Sequence, residues 1–391
     1  MKKIFAVLLL SACAHVTRVQ MEPLRFQALP SGEVVVQEPN TLFQIAGEAF
    51  AAKKYDEAVA LYDELVEKFP GASYVLPSYY NAGLALEAKG DFAAAAERYR
   101  RLLAVESAKK CIGSLQPAPQ TPAQTKICDD VLDAQFRLGT VYGELKNFGP
   151  QADVYKQILE RKGLSLADRM EAQARRGAAQ VGLKDFTAAE LTLREQLDYY
   201  RAHEFDERLE SDFFVGMAAF YLAQVTHEQY RLLPIRLPEK QMALDLEAKA
   251  QLVLMAQHRY LDTIRVRNPE WATAAGFQIG SLYREFYDDL VNAPVPPQLE
   301  GEARQVYLEE VRKKVRTLLE KAISIHEKNV LMAERVGVAN DWVKRSNDQM
   351  DQLKQLILPG AKVAPAAEPS QPPPLPERPV IKDVPKAPVS M

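Results

Sequence analysis

The chain has 391 residues, of which 47% are hydrophobic and 26% are charged, and its formal net charge is −3 at pH 7. This composition is ordinary for a water-facing protein and excludes a polytopic membrane protein, a collagen and a wholly disordered chain. The slight negative charge provides no basic field that would recruit nucleic acid. Proline is the exception, because ten of its 25 occurrences follow residue 358 and separate a folded body from a tail.

The first thirteen residues are typical of an export signal. Lys2 and Lys3 precede an apolar run over residues 4–10, which is shorter than the roughly 20 residues that span a bilayer. The run ends in Leu-Ser-Ala-Cys and resembles the lipobox of bacterial lipoproteins. That resemblance implies cleavage after residue 12 and acylation of Cys13, whereas in an ordinary secretory signal Cys13 would be incidental. Because Ala14 replaces the Asp that favours inner-membrane retention in Gram-negative lipoproteins, we expect a lipid anchor in the outer membrane, facing the periplasm.

Export also changes what the other two cysteines imply. Cys111 and Cys128 are separated by sixteen residues that include a Pro- and Thr-rich stretch. In an oxidising compartment this pair is expected to form a disulfide that closes a surface loop, which we place at 107–129. Two reduced thiols are the alternative. No metal or other cofactor is expected, because the chain has no C-x-x-C motif and no His at ligand spacing.

A recurrent pattern runs through residues 40–205. Each copy has a small residue, an aromatic residue nine positions later, and a large apolar residue seven positions after that. The small residue and the aromatic are Ala46 and Tyr55, Gly83 and Phe92, Gly139 and Phe148, and Gly177 and Phe186. The pattern resembles the tetratricopeptide repeat, a helix–turn–helix unit of about 34 residues. The resemblance implies a solenoid of helical hairpins whose first helices line a groove for partner proteins.

Helical periodicity predicts the same all-α fold class. Leu42, Ile45, Ala46 and Ala49 form one apolar stripe, and only the fragment Val34-Val35-Val36 looks strand-like. In the third copy Ala152 comes one residue late, so the start of that second helix stays open. Beyond residue 205 the repeats lengthen and degenerate, with helices expected near 208–231, 239–267, 270–291, 301–334 and 336–357. Within them Ile279-Gly280 and Tyr283 resemble the first helix of a fifth repeat.

These features divide the chain into five segments. They are a signal peptide (1–12), an anchor-proximal linker (13–39), the repeat solenoid (40–205), a degenerate TPR-like helical region (206–358) and a Pro-rich tail (359–391). The tail is expected to be disordered because it cannot bury enough apolar surface to fold. Its run over 372–379 favours polyproline II and could bind an aromatic groove, with a plain spacer as the alternative.

Counting back from each turn aromatic identifies candidates for the partner groove. Phe43, Tyr80 and Phe136 share one groove-facing position, and Phe50 and Glu87 share another. A ladder of aromatic rings suits an apolar helix or an extended peptide. The alternative is that the rings only pack against neighbouring helices.

The sequence shows no catalytic constellation. The five His residues are scattered and are expected to be solvated, and H-E-x-x-H, G-x-S-x-G and phosphate-binding glycine motifs are missing. Asp288 and Asp289 would diverge by about 100° on a helix. We therefore expect a non-catalytic scaffold that binds other envelope proteins within a multiprotein complex, with an enzyme as the least favoured alternative.

The run over residues 280–297 adds a second resemblance. It is similar to a segment of tetratricopeptide-repeat proteins from myxobacteria and their relatives, some of which are lipoproteins of the gliding-motility machinery. That resemblance implies a component of a motility complex. A factor for the assembly of outer-membrane proteins, or a pilotin, is the alternative.

Overall fold

The computed structural model of the chain describes residues 22–28, 34–113 and 121–357. The signal segment with Cys13, part of the linker, residues 114–120 and the Pro-rich tail lie outside the described residues. Within the described part the chain forms fourteen helices and a two-stranded sheet. The predicted all-α, helical-hairpin architecture is confirmed.

The helices follow one another in chain order with mostly short connections. They are α1 (Pro39–Ala51), α2 (Tyr55–Lys68), α3 (Val75–Lys89), α4 (Phe92–Ala104), α5 (Glu106–Lys109), α6 (Pro122–Glu144), α7 (Phe148–Leu159), α8 (Leu166–Gly182), α9 (Phe186–His203), α10 (Phe213–Leu232), α11 (Glu239–Arg265), α12 (Pro269–Val291), α13 (Gly301–Val336) and α14 (Asp341–Leu356).

The chain divides into two compact units. The first unit contains the described residues up to 111 together with 121–134, and the second contains 112–113 and 135–357. The first holds the hairpins α1–α2 and α3–α4. The second holds α7 to α14 and the C-terminal part of α6.

The turn inside each of the first four hairpins has the same backbone conformation. Two positions before the turn aromatic, φ is 59° at Lys53, 79° at Gly90, 56° at Lys146 and 60° at Lys184. This left-handed conformation costs a residue with a side chain about 1–2 kcal/mol, yet three hairpins hold lysine there. Because the turn geometry is the same, the second helix of each hairpin begins in the same register against the first.

The sheet is a small antiparallel hairpin. Strand β1 (Arg25–Ala28) pairs with β2 (Val34–Gln37), so that Arg25 lies opposite Gln37. The sequence predicted the strand character of Val34–Val36 but missed β1. Four residues are too few for a period-two pattern to emerge.

Several helix bounds differ from the predicted ones. α6 begins at Pro122, so part of the predicted loop over 107–129 is helical, and α7 begins at Phe148, which settles the open start of that helix. α10 begins at Phe213 rather than near 208. α13 continues to Val336, and Gly337 ends it in the left-handed conformation at φ 72°. α14 starts only at Asp341, after the predicted position of 336.

None of the helices in the described ranges has the length and apolar character needed to span a membrane.

Candidate functional site

One packing contact recurs inside the hairpins of the repeat region. A large side chain on the second helix lies directly on the backbone of a small residue on the first helix. In three hairpins the small residue is glycine, and a Cβ atom on it would lie only 2.3–2.5 Å from the side chain opposite: Gly83 with Tyr99, Gly139 with Tyr155, and Gly177 with Leu193. Since real Cβ atoms do not approach so closely, glycine is what lets the two helices pack at this distance.

The predicted groove residues Phe43, Tyr80 and Phe136 belong to this contact. Each lies three residues before the small residue, and each is buried, with 8%, 0% and 0% of its surface exposed. Their ring centroids lie 5.6, 6.0 and 6.1 Å from the tyrosine rings of the second helices. The rings therefore fill the interior of the hairpins, which is the alternative that the sequence left open.

The other two groove candidates, Phe50 and Glu87, are partly exposed to solvent. Phe50 is half-buried, and its ring contacts Tyr55 edge-on at 5.6 Å. Glu87 is also half-buried and accepts a hydrogen bond from the Tyr99 hydroxyl. These two side chains of the first unit are the predicted positions that remain accessible to a partner.

The same aromatic contact continues in the second unit, beyond the region where the sequence pattern is clear. Phe220 on α10 lies 5.6 Å from Tyr260 on α11, and Phe277 on α12 lies 5.6 Å from His326 on α13. A Cβ atom on Gly280 would lie 2.4 Å from the His326 ring. The α12–α13 hairpin therefore reproduces the packing of the N-terminal hairpins, with histidine in the place of tyrosine.

A partly buried charge network joins α10, α11 and α12. Arg231 donates two hydrogen bonds to Glu285, from Nε to Oε2 at 2.8 Å and from Nη2 to Oε1 at 2.6 Å. The ring of His227 lies between Glu285, 3.2 Å from Nε2, and the Tyr260 hydroxyl, 3.1 Å from Nδ1. Burial alone would raise the pKa of the Glu285 carboxyl, but His227 and Arg231 overcome it and hold that pKa well below its usual range.

A second part of the network lies one turn further along α12. Asp289 accepts hydrogen bonds from Lys249 on α11 at 2.7 Å and from the Tyr230 hydroxyl on α10 at 2.5 Å. Burial and the adjacent Asp289 raise the pKa of Tyr230. Asp288 instead bonds Arg284 on its own helix at 2.7 Å. The two neighbouring carboxylates take different partners, as helical geometry predicts.

Sequence patterns did not reveal this network, because residues that bond one another in it are up to 59 residues apart. One usable signal was the position of Lys249, which lies on the buried stripe of α11 between Met242 and Val253. A lysine on an apolar stripe indicates a buried partner for its charge.

Two histidines correct the expectation that the His side chains are solvated. His227 and His326 have no exposed surface, because each lies on the inward face of its helix against small or aromatic residues. His258 is 69% exposed, as expected. The described residues contain no group of three or more His, Cys, Asp or Glu arranged to hold a metal ion.

The structure joins Cys111 to Cys128 at an S–S distance of 2.01 Å. Both cysteines are buried, at 3% and 7% exposed surface. The bond ties the segment after α5 to the first turns of α6. Near it, burial raises the pKa of Asp130 to about 6, despite Lys126 at 3.5 Å.

Comparison with known proteins agrees with this packing. Residues 41–72 and 76–112 match models of the tetratricopeptide repeat. These ranges are the first two copies predicted from the sequence, so the chain contains tetratricopeptide repeats in its first unit. No curated protein sequence matches the chain.

Solved structures with a similar arrangement of helices include two bacterial tetratricopeptide-repeat proteins. The one from Bacteroides fragilis is 15% identical, with a TM-score of 0.29, and the match covers 72% of this chain and 99% of that chain. The one from Parabacteroides merdae is 12% identical, with a TM-score of 0.37, and the match covers 80% of this chain and 98% of that chain.

Proposed function

We propose that this chain is a non-catalytic scaffold that binds partner proteins in the Gram-negative cell envelope. The observation that carries the proposal is the recurrence of one packing unit, from the pair Phe43–Tyr62 on α1 and α2 to Phe277–His326 on α12 and α13. Within each unit, repetition of this kind builds a surface from successive helices, and such surfaces typically bind proteins.

The exposed faces of the first helix, α1, and the last helix, α14, are mostly polar and indicate where partners are not expected to bind. On α3 the face toward the preceding helix is buried, at Ser78, Asn81, Ala82 and Ala85, whereas the equivalent face of α1 is exposed at Thr41, Gln44, Ile45 and Glu48. Most of that exposed face is polar, as a face in contact with water requires. The outward face of α14 is likewise polar, so partners are expected on the sides of the hairpins.

We further propose that the scaffold is an outer-membrane lipoprotein of a motility complex. The lipobox-like residues 10–13 and the resemblance of the run over 280–297 support this. The alternative is a factor for outer-membrane protein or pilus assembly. In cells, cross-linking should capture motility components in the first case and barrel-assembly or secretin components in the second.

The anchor is tested by fractionating cells that carry Cys13→Ser. We expect this variant to leave the outer-membrane fraction and appear in the periplasmic extract, because the acyl chains attach to that residue. His258→Gln, at an exposed histidine, is the control, since it leaves both the anchor and the Cys111–Cys128 disulfide intact. If Cys13→Ser still sediments with outer membranes, the lipoprotein proposal is wrong.

The partner surface of the first unit is tested at Phe50 and Glu87. Tyr80 and Phe136 are unsuitable, because truncating a buried aromatic residue costs about 3–5 kcal/mol and would disturb the fold itself. We expect Phe50→Ala combined with Glu87→Gln to reduce capture of the cross-linked partner, and capture is compared well below the melting temperature of each variant, because Phe50 also packs on Tyr55. Phe205→Ala, at a loop residue with 93% exposed surface, is the control. Undiminished capture would exclude this surface.

A further inference from the structure

We propose that the α12–α13 hairpin is an acid-sensitive joint, in which protonation of His326 releases α13 and α14 from α12. His326 occupies the position that tyrosine or leucine takes in the other hairpins. Tyrosine there can place its hydroxyl beyond the contact, as Tyr99 does when it donates to Glu87. Leucine, as in Leu193 on Gly177, needs no polar partner. Among these residues, only histidine can become charged in mildly acidic water.

The geometry makes the neutral ring the favoured form. His326 has no exposed surface, and its ring packs between the Gly280 backbone and the Phe277 ring. Neither ring nitrogen has a hydrogen-bond partner among the described residues. A protonated ring would carry two N–H donors and a charge into this site without an acceptor, which is strongly unfavourable.

The charged groups on the neighbouring elements do not relieve this cost. On α12, Arg284 is bound to Asp288 at 2.7 Å. On α14, Arg345 lies 5.9 Å from the Phe277 ring and is bound to Asp341 at 3.3 Å. The carboxylates of Asp288 and Asp341 therefore each have a cationic partner on their own helix already.

On α13 itself the adjacent acid is Glu327, which pairs with Lys354 of α14 at 3.3 Å. It is exposed and lies on the outer side of the helix. Burial correspondingly lowers the pKa of His326 from its usual 6.5 to about 4. His227 provides the contrast, because its buried ring has Glu285 and Tyr260 as partners.

The sign of the effect follows from the two protonation states. Between pH 6.5 and 4 the opened hairpin binds a proton that the closed hairpin does not, so closure weakens as the pH falls through this window. Burial raises the pKa of Asp288 on α12, and that shift strengthens closure as the pH falls, opposite to the effect of His326. A variant of His326 is therefore needed to isolate the contribution of the histidine.

The two tryptophans of the chain lie on the two sides that the joint would separate. Trp342 on α14 lies 5.5 Å from Phe277 and 6.4 Å from Phe220. Trp271 on α12 packs against Phe213 and Phe220 of α10. In a full-length chain with Trp271→Phe, urea unfolding followed by tryptophan emission reports from α14. Trp342→Phe gives the complementary probe.

From the two pKa values of His326 we expect its protonation to raise the unfolding constant seen by Trp342 about 20-fold between pH 7 and pH 5, measured as the difference from His326→Leu. With His326→Leu, which copies the Leu193–Gly177 contact of the α8–α9 hairpin, this rise should disappear, and His326→Tyr provides a second variant. His258→Gln, at an exposed histidine, should keep it. An equal rise in His326→Leu would overturn the proposal. An equal rise at Trp271 would overturn the local release of α13 and α14.

Discussion

The Arg231–Glu285 pair offers a direct test of the charge network in the second unit. Arg231→Met removes the guanidinium but keeps most of the side-chain volume, and it leaves the Glu285 carboxylate with His227 as its remaining network partner. The bond that is lost is bidentate, at 2.8 and 2.6 Å, and it joins α10 to α12. Because a carboxylate stripped of its partner stays partly out of water, the variant should be clearly less stable.

The magnitude follows from the burial of the pair. Breaking a buried ion pair costs about 3–5 kcal/mol. The side chains of Arg231 and Glu285 retain 29% and 23% of their exposure, and solvent therefore screens part of the interaction. We expect a loss of about 2–3 kcal/mol in the free energy of unfolding of the second unit, below or at the lower end of that range.

Urea unfolding followed by tryptophan emission measures this loss, since Trp271 and Trp342 both lie in the second unit. The matched control is Arg201→Met, which breaks a pair with Asp198 whose side chains are 68% and 71% exposed. That control should change stability by less than about 0.5 kcal/mol.

The double variant Arg231→Met with Glu285→Met should recover much of the lost stability, because it removes the stranded carboxylate as well. Equal, small effects of Arg231→Met and Arg201→Met would refute the reasoning. The reasoning would also be refuted if the double variant were less stable than Arg231→Met by as much as Arg231→Met is less stable than the parent chain.

Three further predictions concern local packing, each measured by the free energy of unfolding. Gly83→Ala should lose about 1 kcal/mol, because overpacking against the ring opposite exceeds the gain in helix propensity, whereas Gly47→Ala should gain about 1 kcal/mol, since its Cβ atom meets nothing closer than 3.9 Å. Cys111→Ser combined with Cys128→Ser should lower the free energy of unfolding by about 3 kcal/mol under oxidising conditions, because the disulfide no longer closes a loop of 17 residues in the unfolded chain. Under reducing conditions the parent chain has no disulfide either, so the variant should lose nothing. Lys184→Gly should gain about 0.5–1 kcal/mol by relieving its left-handed backbone. Opposite signs in any of these would contradict the packing described.

How much of the fold could be predicted depended on how far apart the contacting residues lie in the sequence. In the first three hairpins the aromatic partners are 19 residues apart, as Phe43 and Tyr62 are, so a fixed spacing revealed each copy. Phe220 and Tyr260 are 40 residues apart, and Phe277 and His326 are 49 apart. The packing is the same, but the longer helices between them removed the spacing that a reader of the sequence can recognise.

The candidate site was less predictable than the fold. The spacing identified Phe43, Tyr80 and Phe136 correctly as members of one repeated position, but position alone does not say whether a ring faces a groove or a partner helix. The burial of these rings depends on the glycine or alanine three residues later, which draws the second helix onto the first. A small residue at that spacing favours an interior ring, and it was already visible in the sequence.

The change in spacing after residue 205 accompanies a change in what fixes the helix register. In the N-terminal hairpins a tight turn with one left-handed residue, such as Lys184, sets the register of the second helix. The connection between α10 and α11 is longer, and polar bonds replace the turn. Lys249 donates to the Tyr230 carbonyl at 3.1 Å, and Arg259 donates to the Thr226 hydroxyl at 2.6 Å.

Directional hydrogen bonds of this kind hold two helices at one register even where an apolar contact would tolerate sliding. In the N-terminal hairpins, adjacent turn residues set the helix register. In the α10–α11 hairpin, the register is set instead by pairs of residues that lie 19 and 33 positions apart in the sequence. A repeat that is specified in this way keeps its packing while its sequence pattern fades. For this reason the degenerate region still forms hairpins of the same kind, and the polar pairs between its helices, rather than its turns, are where substitutions should first disturb it.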